Sequence, residues 1–284
     1  MISLNEVSFG YNRRKLLFNN LSMQLLSGHI YGLLAKNGEG KSSLLRNMAG
    51  LLFPVSGSIH VNGFEPGKRE AAFLQDLFFL SEEIYLPSTT PQKFSDCYGC
   101  FYPDFSNRQF LTNLHAFDIS LEKKLNEMSY GQQKKVLIAF ALATNTKVLL
   151  MDEPTNGLDI PSKSQFRKLM TAAYDDDRII LISTHQVRDL HQVIDSVVIL
   201  HEGEILLRNS LEEIAQRLSF IHSSGIPENE QILYSQPSLG GYNVVIENNL
   251  GDESPVDLEQ LFNAATHNPG KIKKLFGEAV CKSM

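Results

Sequence analysis

A short apolar run, Ile30-Tyr31-Gly32-Leu33-Leu34, passes directly into Ala35-Lys36-Asn37-Gly38-Glu39-Gly40-Lys41-Ser42, and Ser43-Leu44-Leu45-Arg46-Asn47-Met48-Ala49 then reads as a helix. The apolar run suits a buried parallel strand, and a strand, a tight glycine-containing loop and a helix start are the context that a phosphate-gripping loop requires. Gly38 and Gly40 let the backbone approach a phosphate and point N–H groups at it. The helix N-terminus adds positive partial charge. Lys41 supplies a full charge for β- and γ-phosphates, and the Ser42 hydroxyl is a natural Mg²⁺ ligand. Ala35 stands where such a loop usually has its first glycine; if the backbone there needed a positive φ, alanine would cost about 1 kcal/mol.

Far downstream, Lys147-Val148-Leu149-Leu150-Met151-Asp152-Glu153 is a hydrophobic strand ending in two carboxylates. A continuous apolar run belongs in the middle of a sheet, and acids at its end are expensive to bury without work to do. Asp152 suits the holding of Mg²⁺ through water, and Glu153 suits polarising an attacking water or accepting its proton. Pro154-Thr155-Asn156-Gly157-Leu158-Asp159 leads straight back toward the nucleotide, which argues against a merely solvated strand end. Between the two strands lies Met128-Ser129-Tyr130-Gly131-Gln132, and Gln133 to Thr144 reads as an amphipathic helix.

On these motifs, in this order, the chain resembles the ATP-binding subunit of ABC transporters over roughly residues 1 to 215. The resemblance implies an α/β fold: a P-loop NTPase of ABC-ATPase type, with an antiparallel β subdomain and a helical subdomain. Met128 to Gln132 resembles the family's signature, with Met for Leu and Tyr for the first Gly. In the family the signature faces ATP held by the other subunit, so Ser129, Gly131 and Gln132 are expected to act in trans. Tyr11, after Val7-Ser8-Phe9-Gly10, matches the aromatic residue that stacks on adenine. Asn37, Gly38, Glu39, Gly40, Lys41, Ser42 and Ser43 form the expected ATP-binding loop. Asp159 matches the acidic residue of the loop that communicates across the dimer. His185, after Ile179-Ile180-Leu181-Ile182-Ser183-Thr184, matches the switch histidine that contacts the γ-phosphate. Glu82, in Leu77-Phe78-Phe79-Leu80-Ser81-Glu82-Glu83, stands where the family usually has glutamine. A carboxylate there can bind Mg²⁺ or water but, when ionised, cannot donate a hydrogen bond. The resemblance thus names Glu153, His185 and Lys41 as catalytic, and Ser42, Asp152 and Glu82 as the Mg²⁺ side.

The chain has 284 residues, enough for a full core, and a formal net charge of −6, which argues against a general nucleic-acid binder. No apolar stretch reaches bilayer-spanning length: Val136 to Met151 is broken by Thr144-Asn145-Thr146-Lys147. No signal peptide is evident at the start. The expectation is a cytoplasmic chain, peripheral on the inner face of the cell membrane through separate transmembrane permease subunits. Of the cysteines, Cys97 and Cys100 form one C-x-x-C with only Cys281 left over, so they are expected to be small hydrophobes in a helix rather than a metal or redox site.

Residues 1 to 34 look β-rich, with Ile59-His60-Val61 a further strand. From about 86 to 143, helices over Pro91 to Cys100, Asn107 to Phe117 and Gly131 to Ala143 make the helical subdomain. Its aromatics (Phe94, Tyr98, Phe101, Tyr102, Phe105, Phe110, Phe117) are expected to pack, a few of them lining a groove for a partner helix. Lys147 to about Leu207 alternates strands and helices, and Asp175-Asp176-Asp177 reads as a solvated turn. Residues 1–218 are expected to form the ATPase domain and 219–284 a small α+β extension. In the extension, Ser223 to Pro227 reads as a connector, and Gln231 to Ser235 and Tyr242 to Glu247 read as strands joined through Leu239-Gly240-Gly241. Ser254 caps an expected helix with Pro255 at its first position and Leu258, Leu261 and Phe262 on its apolar stripe. With one phosphate loop and one carboxylate strand, a single copy cannot bring its own signature to its own nucleotide. A homodimer or a heterodimer with a second such subunit is therefore expected. The expected function is hydrolysis of ATP with Mg²⁺ to power a membrane exporter. A soluble ABC ATPase for iron–sulfur cluster assembly and a low-turnover nucleotide-dependent regulator stay open as alternatives.

Overall fold

The computed structural model describes residues 1–12, 15–187, 190–227, 232–248 and 254–277. Strands β1 (Ile2–Phe9), β2 (Phe18–Leu25) and β4 (Ser56–Val61) form an antiparallel sheet in the order β2-β1-β4. The central sheet contains β3 (His29–Leu34), β5 (Leu77–Leu80), β6 (Val148–Asp152), β7 (Ile179–Thr184), β8 (Ser196–His201) and β9 (Glu204–Ser210). Its order is β5-β6-β7-β3-β8-β9, parallel throughout except for β9. Strands β6 and β7 are buried along their whole length, as apolar strands between two helical layers must be. The order β6-β7-β3 sets three C-terminal strand ends side by side, with Asp152 level with Ser183 and Leu34 level with Thr184. In open α/β sheets ligands bind outside such carboxyl ends.

Helix α1 (Lys41–Met48) leaves the end of β3, and α2 (Ala71–Asp76) leads into β5. The helical region follows: α3 (Pro91–Tyr98) capped by Thr90, α4 (Asn107–Ala116) capped by Ser106, and α5 (Tyr130–Ala143) capped by Ser129. The hydroxyl of each cap accepts a backbone N–H of the first turn, which is why these helices begin where they do. The expected amphipathic α5 is instead buried almost all round from Val136 onward. The reason is Phe140, 2 % exposed, whose ring centroid lies 5.0–6.1 Å from those of Phe94, Phe105, Phe78, Phe110 and Tyr102. That cluster joins α3, α4 and β5 to α5. Cys97 ends up exposed in α3, and Cys100 exposed in the short 3-10 turn Gly99–Phe101 that follows. The expectation of two packed hydrophobes therefore fails, because the helix winds both thiols away from the aromatic cluster.

Helix α6 (Ile160–Ala172) covers the sheet between β6 and β7, and α7 (Leu211–Arg217) follows β9. Beyond it, β10 (Leu218–Ser223), β11 (Ile232–Ser238) and β12 (Gly241–Glu247) form an antiparallel sheet in the order β10-β12-β11. β10 was not anticipated, and it takes in Ser223 from the expected connector; Gln231 and Cys281 lie outside the described residues. Helices α8 (Leu258–His267) and α9 (Pro269–Phe276) complete this part. The cap of α8 is Asp257, not Ser254: the Asp257 carboxylate accepts the N–H groups of Glu259 and Gln260, whereas the Ser254 hydroxyl accepts the Phe220 N–H. Leu218, Leu233, Val245, Leu261 and Ile272 belong to the same continuous core as Val197, Ile199 and Leu207 of the central sheet, so this region folds onto the rest of the chain.

Replacing Phe140 with Ala is expected to cost about 3–5 kcal/mol, because the hole cannot collapse while several rings still surround it. Urea denaturation of wild type and variant measures this; a loss under about 1 kcal/mol would show that the rings do not share one core.

Candidate active site

In the loop after β3, Gly38 and Gly40 have φ of 85° and 102°, conformations that favour glycine. A Cβ on Gly40 would come within 2.7 Å of the Leu17 and Phe18 side chains, while one on Gly38 would meet nothing within 4 Å. Ala35 is absent from the positive-φ residues, so alanine at that position carries no strain. No side chain caps α1, whose N-terminal N–H groups are left facing the loop. Lys41 is 7 % exposed, and its Nζ donates to the carbonyl oxygen of Ala35 at 2.9 Å. Burial pushes the Lys41 ammonium below its ordinary value, and the carboxylates of Glu153, Asp152, Glu39 and Glu82 pull it back up, Glu153 most strongly.

The acids of β6 are buried. Asp152 Oδ1 accepts the Ser183 hydroxyl at 2.5 Å, while its Oδ2 is buried with no hydrogen-bond partner. Glu153 is 5 % exposed and sits in the left-handed region at φ 47°. Its backbone N–H donates to the Ser183 carbonyl at 3.1 Å, fixing the turn at the strand end. Its Oε1 lies 2.8 Å from His185 Nδ1 and 3.9 Å from Lys41 Nζ, and its Oε2 accepts the Thr184 hydroxyl at 3.2 Å. A cavity of ≈ 540 Å³ opens over these groups. Asn37, Gly38, Gly40, Lys41, Ser42 and Ser43 line it together with Tyr11, Glu82, Glu153 and His185. That volume is in the range of small-ligand pockets.

Other expected residues are placed less simply. The Tyr11 ring stands edge-on to Phe9, its hydroxyl 2.9 Å from Ser43 Oγ. Glu39 turns away from the cavity, its Oε1 2.9 Å from His201 Nδ1 at the end of β8. Asp159 caps α6 by accepting the Ser162 N–H at 2.9 Å, and hydrogen bonds from Ser162 hold its carboxyl below the usual range. Glu82 Oε1 accepts from Asn156 Nδ2 at 3.0 Å at the rim of the cavity. Ser129 and Gln132 bond each other's backbone N–H in a capping box at the tip of α5. Ser129, Gly131 and Gln132 are not among the residues lining the cavity of their own chain.

Sequence reasoning missed Leu17, Ser183 and Thr184. The last two were legible as a polar pair ending an apolar strand just before His185. Among the described residues no group of three His, Cys, Asp or Glu side chains could cage a metal by itself. Mg²⁺ needs no such cage, since it binds through one or two carboxylates plus substrate phosphates. The unpartnered, buried Asp152 Oδ2 fits that chemistry, although Asp152, unlike Ser42 and Glu82, does not line the cavity.

Residues 18–156 match the family described as ABC transporter. Over 224 residues the chain is 31% identical to the ABC transporter ATP-binding protein NatA of Bacillus subtilis (strain 168), covering 75% of this chain and 91% of that protein. A solved ATP-binding subunit of an ABC transporter superposes with a TM-score of 0.68 at 24% identity, covering 75% of this chain and 91% of that one. A dimeric post-hydrolysis state of an ATP-binding cassette bound to ADP and Pi superposes with a TM-score of 0.65 at 21% identity, covering 74% and 99%. At these identities the solved structures speak for the fold.

Gly40→Ala is expected to weaken nucleotide binding at least about tenfold, since both φ and the Leu17–Phe18 contact oppose a methyl group. Gly38→Ala, whose added methyl would meet no protein atom within 4 Å, is expected to cost about 1 kcal/mol of φ strain and to weaken binding less than Gly40→Ala. Titration with a fluorescent ATP analogue separates the two; equal affinities would remove the crowding at Gly40 from the argument.

Proposed function

The chain belongs to the ABC transporter family as an ATP-binding subunit, and from this premise we propose that it hydrolyses ATP as a dimer to power export through separate transmembrane permease subunits. The observation that carries the reading is Glu153: a buried carboxylate between His185 Nδ1 and Lys41 Nζ, at the floor of a cavity walled by a glycine loop. The N–H groups of Gly38 to Ser43, with Lys41, bind the β- and γ-phosphates. Tyr11 supports the adenine; its hydroxyl bond to Ser43 is one a stacked ring would give up. Bound Mg²⁺ would neutralise phosphate charge, with Ser42 and Asp152 to hold it and Glu82 at its rim. Glu153 takes the proton of the attacking water, oriented for this by His185 and the Thr184 hydroxyl. Ser129, Gly131 and Gln132, which do not line their own chain's cavity, complete the site of a second subunit, homologous or identical, as the likeness to the family implies. Two ATP molecules then lie at the interface, with Asp159 beside it at the start of α6.

No helix among the described residues is long and apolar enough to cross a membrane. Membrane passage is assigned to the permease, which holds this chain at the inner face of the cell membrane. An apolar cavity of ≈ 530 Å³ supports the docking of a permease helix; Leu74, Phe79, Tyr98 and Phe101 line it, and Phe101 is 63% exposed. Export is the proposed direction, on the carboxylate at Glu82 in the coupling loop and the likeness to the family.

Glu153→Gln is expected to keep ATP binding, lose hydrolysis by about 100-fold or more, and accumulate as a closed dimer. Phosphate release and light scattering measure the two effects, and equal turnover in both proteins would remove Glu153 from the mechanism. Purification of the native complex from membranes is expected to bring down a multi-span membrane protein; recovery with soluble partners alone would reject the transport role.

A further inference from the structure

The sequence departures at Glu82 and Tyr130 meet in space. Tyr130 and Lys134 are one turn apart on α5, so their side chains share a face. The Tyr130 hydroxyl donates to the Glu82 carbonyl oxygen at 2.8 Å. Lys134 Nζ donates to the same carbonyl and to the Tyr130 hydroxyl oxygen, each at 3.4 Å, and lies 5.5 Å from the Tyr130 ring centroid. From the opposite side, Asn156 holds the Glu82 carboxylate. The Tyr130 ring rests on Gly157, where a Cβ would come within 2.9 Å of it, and a Cβ on Gly131 would lie 2.8 Å from the Gly157 carbonyl oxygen. The tip of α5, the Glu82 loop and the loop after Glu153 are thus clasped together within one subunit.

Lys134 has no part in the chemistry described above, yet it is 0% exposed. Burying an ammonium is expensive unless it is compensated. Burial pushes Lys134 below its ordinary value, and Glu82, Asp152 and Glu153 pull it back. Its counter-charges are therefore the carboxylates of the active site. Being fully covered, Lys134 cannot touch a second subunit or that subunit's nucleotide; Tyr130 is 45% exposed, and it is its hydroxyl, bonded to the Glu82 carbonyl, that acts within the subunit. Any influence it has on dimer closure passes through the Glu82 loop and α5.

We propose that Lys134 and Tyr130 are positioning residues that fix the Glu82 loop to the signature helix of the same subunit, so that filling a subunit's own phosphate site sets the pose of the signature it offers its partner. The inference rests on the proposed closure of two subunits around ATP. The test uses the full chain carrying Glu153→Gln as parent, with Lys134→Met or Tyr130→Phe added. Removing one member of a buried set of charges can be costly for folding, so thermal unfolding of Lys134→Met is recorded alongside; Tyr130→Phe deletes only a hydroxyl and keeps the test decisive. Affinity for ATP is read on dilute, monomeric protein with a fluorescent analogue, and ATP-dependent dimerisation by light scattering. Both variants are expected to bind ATP within about twofold of the parent but to need on the order of tenfold more ATP for half-maximal dimer, the size of a typical coupling between sites. A variant that dimerises at the parent's ATP concentration overturns the inference alone. A loss of monomer affinity equal to the loss of dimer also overturns it, since that marks general damage. A parent that does not dimerise with ATP overturns the proposed function, and the inference with it.

Discussion

The site is organised by the need to compensate two carboxylates buried at the end of an apolar strand. Asp152 and Glu153 are 1 % and 5 % exposed, and an uncompensated buried charge costs several kcal/mol. Their partners come from neighbouring strands. The hydroxyls of Ser183 and Thr184 and the imidazole of His185 arrive at the end of β7, and Lys41 arrives from the loop after β3. Only the parallel order β6-β7-β3, in the observed register, delivers all of them to one place. One oxygen, Asp152 Oδ2, stays buried and unpartnered, and it is the one assigned to a cation in the proposed mechanism.

Much of this was legible because it is local in sequence. An apolar run that stops at Asp152-Glu153, a second that stops at Ser183-Thr184-His185, and a glycine loop with Lys41 each announce themselves within a dozen residues. What escaped was set by distance or by competition. The bond of Glu39 to His201 spans 162 residues, and that of Tyr130 to Glu82 spans 48, so neither has a local pattern. Ser254 and Asp257 both qualify as a helix cap; the structure chose the carboxylate, which takes two N–H groups, and left the hydroxyl for Phe220. The spacing of Cys97 and Cys100 could not say which way the thiols face, since that depends on where the aromatic cluster lies.

The C-terminal region is bound to the catalytic part by more than its shared core. His191, a few residues beyond His185, lies with Nε2 2.6 Å from the Val256 carbonyl oxygen just ahead of α8. Lys273 of α9 reaches Glu204 on β9 at 2.7 Å. The His191 contact falls on the segment that follows β7 and His185, and the Lys273 contact on the edge strand β9, so the sheet anchors this region at two points.

Glu153 is held with φ of 47°, a conformation glycine and asparagine adopt more readily than glutamate. Relaxing that backbone and keeping the base proposed for this position are opposing demands at one residue. On the proposed mechanism, selection for thermal tolerance alone would therefore favour replacements that leave a sturdier but inert protein, and an optimised scaffold would have to gain its robustness elsewhere.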